Sequence, residues 1–163
     1  MLFNQRGMAM KILVCTDGSE QSQKALAKAA TIAEGCKAED VALIHVCEGK
    51  LDPRFSSAWG GKNYKATEDD IAYLKKRYHK EKEKGEKILQ AAVEFFQDKG
   101  IKAKALLKEG QPSLAIIGVA SEEGYDTIVI GSRGLSGLKK IFLGSVSSAV
   151  LQGAKDCTVV VVK

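Results

Sequence analysis

The sequence has little of what membrane-spanning, exported or nucleic-acid-binding proteins need. No apolar run approaches the roughly 20 residues that cross a bilayer, and Met1–Met10 has no apolar core of the kind found in signal peptides. Aromatic residues make up only 6% of the chain, and they do not alternate with arginine as in surfaces that stack on bases. We therefore expect a cytoplasmic protein that binds neither membranes nor nucleic acid.

The four cysteines do not have the spacing of a disulfide framework or a metal site. Cys15, Cys36, Cys47 and Cys157 form no C-x-x-C pair, and no histidine lies at metal-ligand spacing from them. Three of the four lie in or beside apolar runs. This placement favours buried, reduced thiols over disulfide bonds or metal ligation.

The net charge of +5 comes from basic residues that are interleaved with acidic ones. Residues 79–84 read HKEKEK, which is typical of a solvated helix face rather than a surface for nucleic acid. With 45% hydrophobic and 28% charged residues, the composition is that of a globular protein, and 163 residues suffice for one core. We expect a single domain over residues 1–163.

Short apolar runs alternate with helical patterns along the first part of the chain. Lys11–Cys15 is predicted to be a buried strand, and apolar residues then recur at helical spacing from Ser19 to Glu34. Gly35 is placed to end that helix, and Val41–Val46 is predicted to be a second buried strand. Strand, helix and strand in about 36 residues predict a βαβ unit with parallel strands.

The second part of the chain continues the same alternation after an irregular insertion at about residues 49–65. Thr67 and Asp70 open a helical pattern that forms one long helix or two before Gly100. The elements predicted after it are a strand at Ile101–Leu107, a helix from Pro112 to Gly124, a strand at Thr127–Ile130, a helix at Ser145–Gly153 and a strand at Thr158–Val162. The alternating polarity of Ile101–Leu107 suits a sheet edge. The order of elements predicts an open, doubly wound, five-stranded α/β sheet.

The segment from Gly131 to Ser145 joins a buried strand to a helix N-terminus and contains four glycines. Because glycine lacks Cβ, the backbone can approach a phosphate closely, and free N–H groups at the helix start point at the anion. Glycines also make ordinary strand-to-helix turns. Four glycines followed by Ser145 favour a phosphate site over a simple turn.

The spacing of Gly131, Gly134, Gly144 and Ser145 resembles the G-x2-G-x9-G-[ST] ATP-binding signature of universal stress proteins. The resemblance extends to residues 14–19, 43–46 and 158–162 and leaves out an N-terminal extension, residues 1–10, and most of the insertion. It implies a five-stranded parallel sheet in the order 3-2-1-4-5, with adenine nucleotide bound beyond the carboxyl ends of the first and fourth strands.

The resemblance also implies roles for individual positions around ATP. Asp17 and Gly131 would lie near the ribose, Val46 and Ile130 would flank the adenine, and the residues from Gly134 to Ser147 would bind phosphates. The full implied set is Cys15, Thr16, Asp17, Val46, Ile130, Gly131, Ser132, Arg133, Gly134, Leu135, Ser136, Gly137, Gly144, Ser145, Val146 and Ser147. Mg²⁺ or Mn²⁺ would be held mainly by the phosphates, because the sequence has no dense carboxylate cluster near the loop.

Several of these residues have a second interpretation that the sequence leaves open. Asp17 follows a strand and would also suit the cap of the next helix. Arg133 and the Lys139–Lys140 pair could assist phosphate binding or simply be solvated. His45 lies inside an apolar run, so a core histidine is favoured over a catalytic base.

The function favoured by the resemblance is an ATP-binding regulatory module of the stress response, with little or slow hydrolysis and a protein partner that the sequence does not identify. The alternative is an enzyme, either a slow ATPase or a nucleotide-dependent transferase. The chain lacks the G-x-x-x-x-G-K-[ST] P-loop and has no evident residue to activate water. Thr158–Val162 is an apolar strand that would leave a bare sheet edge, and we expect it to form a homodimer with its copy.

Overall fold

One parallel sheet of five strands forms the centre of the protein, in the order 3-2-1-4-5. The computed structural model describes residues 10–48, 67–134 and 143–163. The strands are β1 (Lys11–Cys15), β2 (Asp40–Cys47), β3 (Lys104–Glu109), β4 (Thr127–Gly131) and β5 (Thr158–Val162). The helices in the described ranges are α1 (Glu20–Cys36), α2 (Glu68–Gln97), α3 (Pro112–Glu123) and α4 (Ser145–Gly153). The predicted fold and strand order are confirmed.

Helices cover both faces of the sheet because the central strands are apolar on both sides. Successive side chains of a strand point to opposite faces. In β1, Ile12 and Val14 pack with α1 and α2, and Leu13 packs with α3 and α4. Phe96 of α2 and Val150 of α4 are fully buried in these two layers. Each such side chain contributes roughly 1.5–3 kcal/mol to folding.

The starts of α1 and α2 are set by capping residues that are visible in the sequence. Ser19 is the N-cap of α1, and its hydroxyl accepts the N–H of Ser22 at 3.2 Å. Thr67 and Asp70 form the predicted capping box at the start of α2. The helix then runs for 30 residues without a break, so the helical pattern between Thr67 and Gly100 forms one long helix rather than two.

Two predicted boundaries are wrong. The first helix continues through Gly35 to Cys36 and ends where Lys37 adopts a left-handed conformation, with the N–H of Ala38 bound to the carbonyl of Ala33 at 2.9 Å. The third strand begins at Lys104 rather than Ile101, since the Ile101 N–H is still bound to a carbonyl of the preceding helix. It does lie at the edge of the sheet, as its pattern predicts.

The carboxyl ends of β1 and β4 are neighbours at the centre of the sheet. The chain leaves β1 toward β2 on one side and leaves β4 toward β5 on the other, so the crossover connections diverge at this point. Doubly wound sheets bind ligands in the crevice that such a divergence opens. Of the helices in the described ranges, none is long and apolar enough to cross a membrane.

Candidate ligand-binding site

A cleft of about 520 Å³ opens at the carboxyl edge of the sheet, where β1 and β4 diverge. Its volume lies within the range of roughly 300–1,000 Å³ that is usual for small-molecule sites. Most of the predicted site residues line it, namely Cys15, Thr16, Asp17, Val46, Ile130, Gly131, Arg133, Gly134, Gly144, Ser145, Val146 and Ser147. Leu135, Ser136 and Gly137, with Lys139 and Lys140, lie outside the described residues.

The turn between β1 and α1 forms one wall of the cleft. The backbone N–H of Thr16 donates to the carbonyl of Ile44 at 3.0 Å, which ties the turn to β2. Asp17 Oδ1 accepts the N–H of Ser19 at 3.0 Å. The interpretation of Asp17 as the helix cap is therefore wrong, because Ser19 caps α1 and Asp17 stabilises the turn that precedes it.

The glycine-rich connection after β4 approaches this turn closely at Gly134. A Cβ on Gly134 would lie 2.6 Å from Asp17 Oδ2, which is far inside van der Waals contact. Gly131 is similarly close to α1, since its Cβ would lie 2.9 Å from the backbone of Gln21. Two glycines of the predicted signature thus let the connection pack directly against the turn that carries Asp17.

The N-terminus of α4 forms the opposite wall of the cleft. Gly144 is the N-cap and has no side chain to bind the first N–H groups of the helix. Its own N–H donates to the carbonyl of Ser132 at 2.7 Å, and the first bond within the helix joins Ser148 N–H to the Gly144 carbonyl. The N–H groups of Ser145 and Val146, in the first turn, have no partner within the helix. These N–H groups and the helix dipole favour an anion at this end of the cleft.

Two serines of the predicted set hold the backbone of this connection. Ser147 Oγ is buried and lies 3.0 Å from the carbonyl oxygens of both Ser132 and Gly144, which share its one donated proton. Ser132 does not line the cleft, and only 1% of it is exposed. Its N–H donates to the carbonyl of Val162, which links the connection to β5. Ser132 therefore holds the backbone of the connection in place without lining the cleft itself.

Arg133 lies at the rim between these two walls. It is half-buried and lines the cleft. Its Nε is buried without a hydrogen-bond partner among the described residues. A cationic side chain in that setting suits an anionic ligand better than the fully solvated alternative.

Helix α2 adds residues that the sequence analysis did not place in the site. Glu81 and Lys84 line the cleft next to His45, Cys47 and Glu48. The two helix residues lie in the alternating charged stretch, which is typical of a solvated face, so the sequence carries no signal for them. Pro112 and Ile116 of α3, with Ile44, complete the apolar part of the lining.

His45 connects α2 to the turn after β1. Its Nδ1 lies 2.8 Å from the carbonyl oxygen of Thr16. A carbonyl only accepts, so Nδ1 carries a proton and donates in this contact. The other side of the ring meets α2 at Gly85, where a Cβ would lie 2.6 Å from His45 Cδ2. His45 is half-buried in the cleft wall rather than enclosed in the core.

The thiols near the cleft are held in their neutral form. Burial raises the pKa of Cys15, and the charge of Asp17 raises it further. Burial also raises the pKa of Cys47, with Glu81 and Glu109 adding to the effect. All four cysteines are free. In the described ranges, no group of three or more histidine, cysteine, aspartate or glutamate side chains is placed to hold a metal ion.

Comparisons with known proteins identify relatives over nearly the whole chain. Residues 8–163 match the model of the universal stress protein family. Universal stress protein YxiE of Bacillus subtilis is 38% identical over 156 residues, which cover 96% of this chain and all of that protein. Universal stress protein MJ0577 of Methanocaldococcus jannaschii is 35% identical over 159 residues, covering 94% and 95%. The solved structure of MJ0577 has a TM-score of 0.75 at 30% identity, covering 96% of each chain. The universal stress protein of Archaeoglobus fulgidus in complex with dAMP shares the fold, with a TM-score of 0.63 at 22% identity, covering 94% of this chain and 98% of that one.

Proposed function

Because the chain belongs to the universal stress protein family, we propose that it binds ATP in the cleft and acts as a nucleotide-dependent regulatory module of the stress response. The observation that carries this proposal is the meeting of three elements at the divergence point of the sheet. Gly134 packs against Asp17, and both face the open N-terminus of α4. A structure of the same fold holds dAMP, which is an adenine nucleotide.

In the proposed complex, the polyphosphate lies at Gly134, Gly144 and the first turn of α4, where backbone N–H groups are available. Asp17 lies beside the ribose, and adenine lies among the apolar residues around Val46 and Ile130. No carboxylate cluster for a metal is found among the described residues, so Mg²⁺ or Mn²⁺ would be held mainly by the phosphates. The cation would neutralise phosphate charge. The residues of this chain would supply the N–H groups and the apolar walls.

The test is direct binding of labelled ATP with analysis of the nucleotide that remains bound. Protein in excess over α-labelled ATP and Mg²⁺ is expected to retain the label after rapid gel filtration, and the retained nucleotide is expected to be ATP after minutes. Fast phosphoryl transfer requires an oriented nucleophile, and we propose that none of the polar side chains in the described part of the cleft holds a water in line with the γ-phosphate. At a hundredfold excess over the Kd, ATP should also add about 2.7 kcal/mol to the free energy of unfolding.

The alternative, a slow ATPase or a nucleotide-dependent transferase, is decided by the same experiment. Rapid conversion of bound ATP to ADP or AMP, absent from a Gly134→Val, Gly144→Val double variant, would favour the enzyme. Failure to retain any nucleotide would reject the proposal as a whole.

We also propose that the protein is a homodimer joined through β5, which lies at an edge of the sheet. The four valines of this strand, Val159–Val162, are all partly exposed. Val160→Lys should therefore convert a dimer into a monomer, since lysine on an edge strand opposes pairing between edges. Sedimentation velocity at micromolar concentration measures the change. Ala105→Lys on β3, the opposite edge, is the matched control and should leave the dimer intact. A wild-type protein that sediments as a monomer would contradict the proposal.

A further inference from the structure

A groove separate from the cleft lies between α1 and α2, on the other side of the turn after β1. Its volume is also about 520 Å³. Helix α2 supplies one wall, on which Lys84, Lys87, Ile88, Ala91 and Phe95 recur at spacings of three and four residues. Side chains at that spacing form one stripe along a helix. The groove therefore runs along the axis of α2.

The two lysines that line the groove lie together at one end, and at the other end the Nζ of Lys99, outside the lining, lies 5.0 Å from the centroid of the Phe95 ring. Lys84 and Lys87 lie at the end next to the turn, and Phe95 lies at the other end. Lys84 and Phe95 are eleven residues apart, which corresponds to about 16 Å along the helix axis. Leu26 of α1 faces this stripe from the opposite wall. The lining is thus cationic at one end and apolar along its length.

The two lysines at the first end form no ion pair with a carboxylate in the described part of the chain. None of the described residues that line the groove is acidic. Neither Lys84 nor Lys87 forms an ion pair with a described carboxylate, although Glu81 and Glu83 precede them on the same helix. A site with two ammonium groups that pair with no described carboxylate, beside an apolar wall, complements a ligand that is anionic at one end and apolar at the other.

The turn closes the cationic end of the groove. Gly18 has a φ of +80°, and a Cβ there would lie 3.1 Å from Ile88, so the turn packs directly onto α2. Thr16 and Lys84 line the groove on one side of this contact and the cleft on the other. The two spaces are neighbours with a shared wall.

We propose that this groove binds a free long-chain carboxylate, that is, a fatty-acid anion. The carboxylate lies between the ammonium groups of Lys84 and Lys87, and the hydrocarbon chain follows Ile88 and Ala91 toward Phe95. Apolar burial along the stripe provides the affinity, and the lysine pair binds the carboxylate. The proposal concerns a second site and does not depend on nucleotide binding.

The test is calorimetric titration of the full chain with sodium dodecanoate below its micellar concentration. We expect saturable binding of one dodecanoate per chain. The Lys84→Ala, Lys87→Ala double variant should bind at least tenfold more weakly, and Ala91→Trp, which fills the groove from an exposed position, should abolish binding. Dodecanol, which lacks the charge, should bind more weakly than dodecanoate to the wild type.

The matched control is the Lys75→Ala, Lys82→Ala double variant, which removes the same charge from exposed positions about 160–180° around α2 from Lys84. It should bind dodecanoate like the wild type, and so should Gly144→Val, because the nucleotide site is elsewhere. Equal weakening in both lysine double variants would show nonspecific charge attraction and overturn the proposal. Binding that does not saturate, or that is unchanged in the Lys84, Lys87 variant, would overturn it as well.

Discussion

Gly144→Val is expected to weaken MgATP binding at least tenfold, which corresponds to about 1.4 kcal/mol, and to leave the fold intact. The backbone of Gly144 has φ −70° and ψ 162°, an extended conformation that valine adopts readily. A Cβ there would lie 3.4 Å from Arg133 Cα and from the Ser132 carbonyl oxygen, so the neighbours need to yield only slightly. The isopropyl group would stand at the open end of α4, where the proposed phosphates approach.

Gly144→Val has two effects, a cost to folding and a loss of ATP binding, and they are measured separately. Valine is a poorer N-cap than glycine, which costs about 1 kcal/mol or less in the free energy of unfolding. Denaturant unfolding measures that cost, and calorimetry with MgATP measures the affinity. Gly118→Val in α3 is the matched control, because a Cβ at Gly118 meets only the end of the flexible Glu122 side chain, at 3.9 Å. Unchanged ATP affinity in Gly144→Val would remove the N-terminus of α4 from the proposed site.

Much of the fold could be predicted from local patterns because the central strands and caps depend on nearby residues. The apolar run of β1 and the capping serine and threonine at Ser19 and Thr67 identify their elements directly. The boundary at Ile101 could not be predicted in this way. Ile101 and Ala103 alternate with polar residues as a strand would, yet they pack into the α1 and α2 layer at the exit of a helix. That packing depends on distant parts of the chain.

The candidate site could be predicted as far as the resemblance carried by the glycine spacing reaches, which includes residues after β1, on β2 and β4 and at the start of α4. Gly134 and Gly144 could be identified by this spacing, and at Gly134 the close approach to Asp17 Oδ2, 2.6 Å from a Cβ, requires glycine. Glu81 and Lys84 could not, because they lie on a helix whose charged residues alternate and resemble any solvated surface. Their place in the cleft follows from the way α2 crosses the end of β2, and the residue that permits this crossing is Gly85.

Gly85→Val is expected to destabilise the protein by about 2 kcal/mol and to weaken ATP binding as well. A Cβ at this buried position would lie 2.6 Å from His45 Cδ2, 2.9 Å from Leu107 Cδ1 and 3.1 Å from Cys47 Sγ. Overpacking of this kind costs roughly 1–3 kcal/mol. Replacing a helical glycine with valine, which is β-branched, stabilises the helix by only a few tenths of a kcal/mol. The clash is therefore the larger effect.

ATP binding would weaken because the new side chain displaces the His45 ring. This breaks the hydrogen bond between Nδ1 and the Thr16 carbonyl, which holds the turn before Asp17. Denaturant unfolding and calorimetry measure the two losses, with Gly118→Val as the control, since a Cβ there meets only the flexible Glu122 side chain at 3.9 Å. A double-mutant cycle isolates the contact itself. If the ring is the main obstacle, His45→Ala combined with Gly85→Ala should be less destabilising than the sum of the two single changes. Strict additivity would show that α2 is not held against the turn through this histidine, and the proposed link between α2 and nucleotide affinity would then fail.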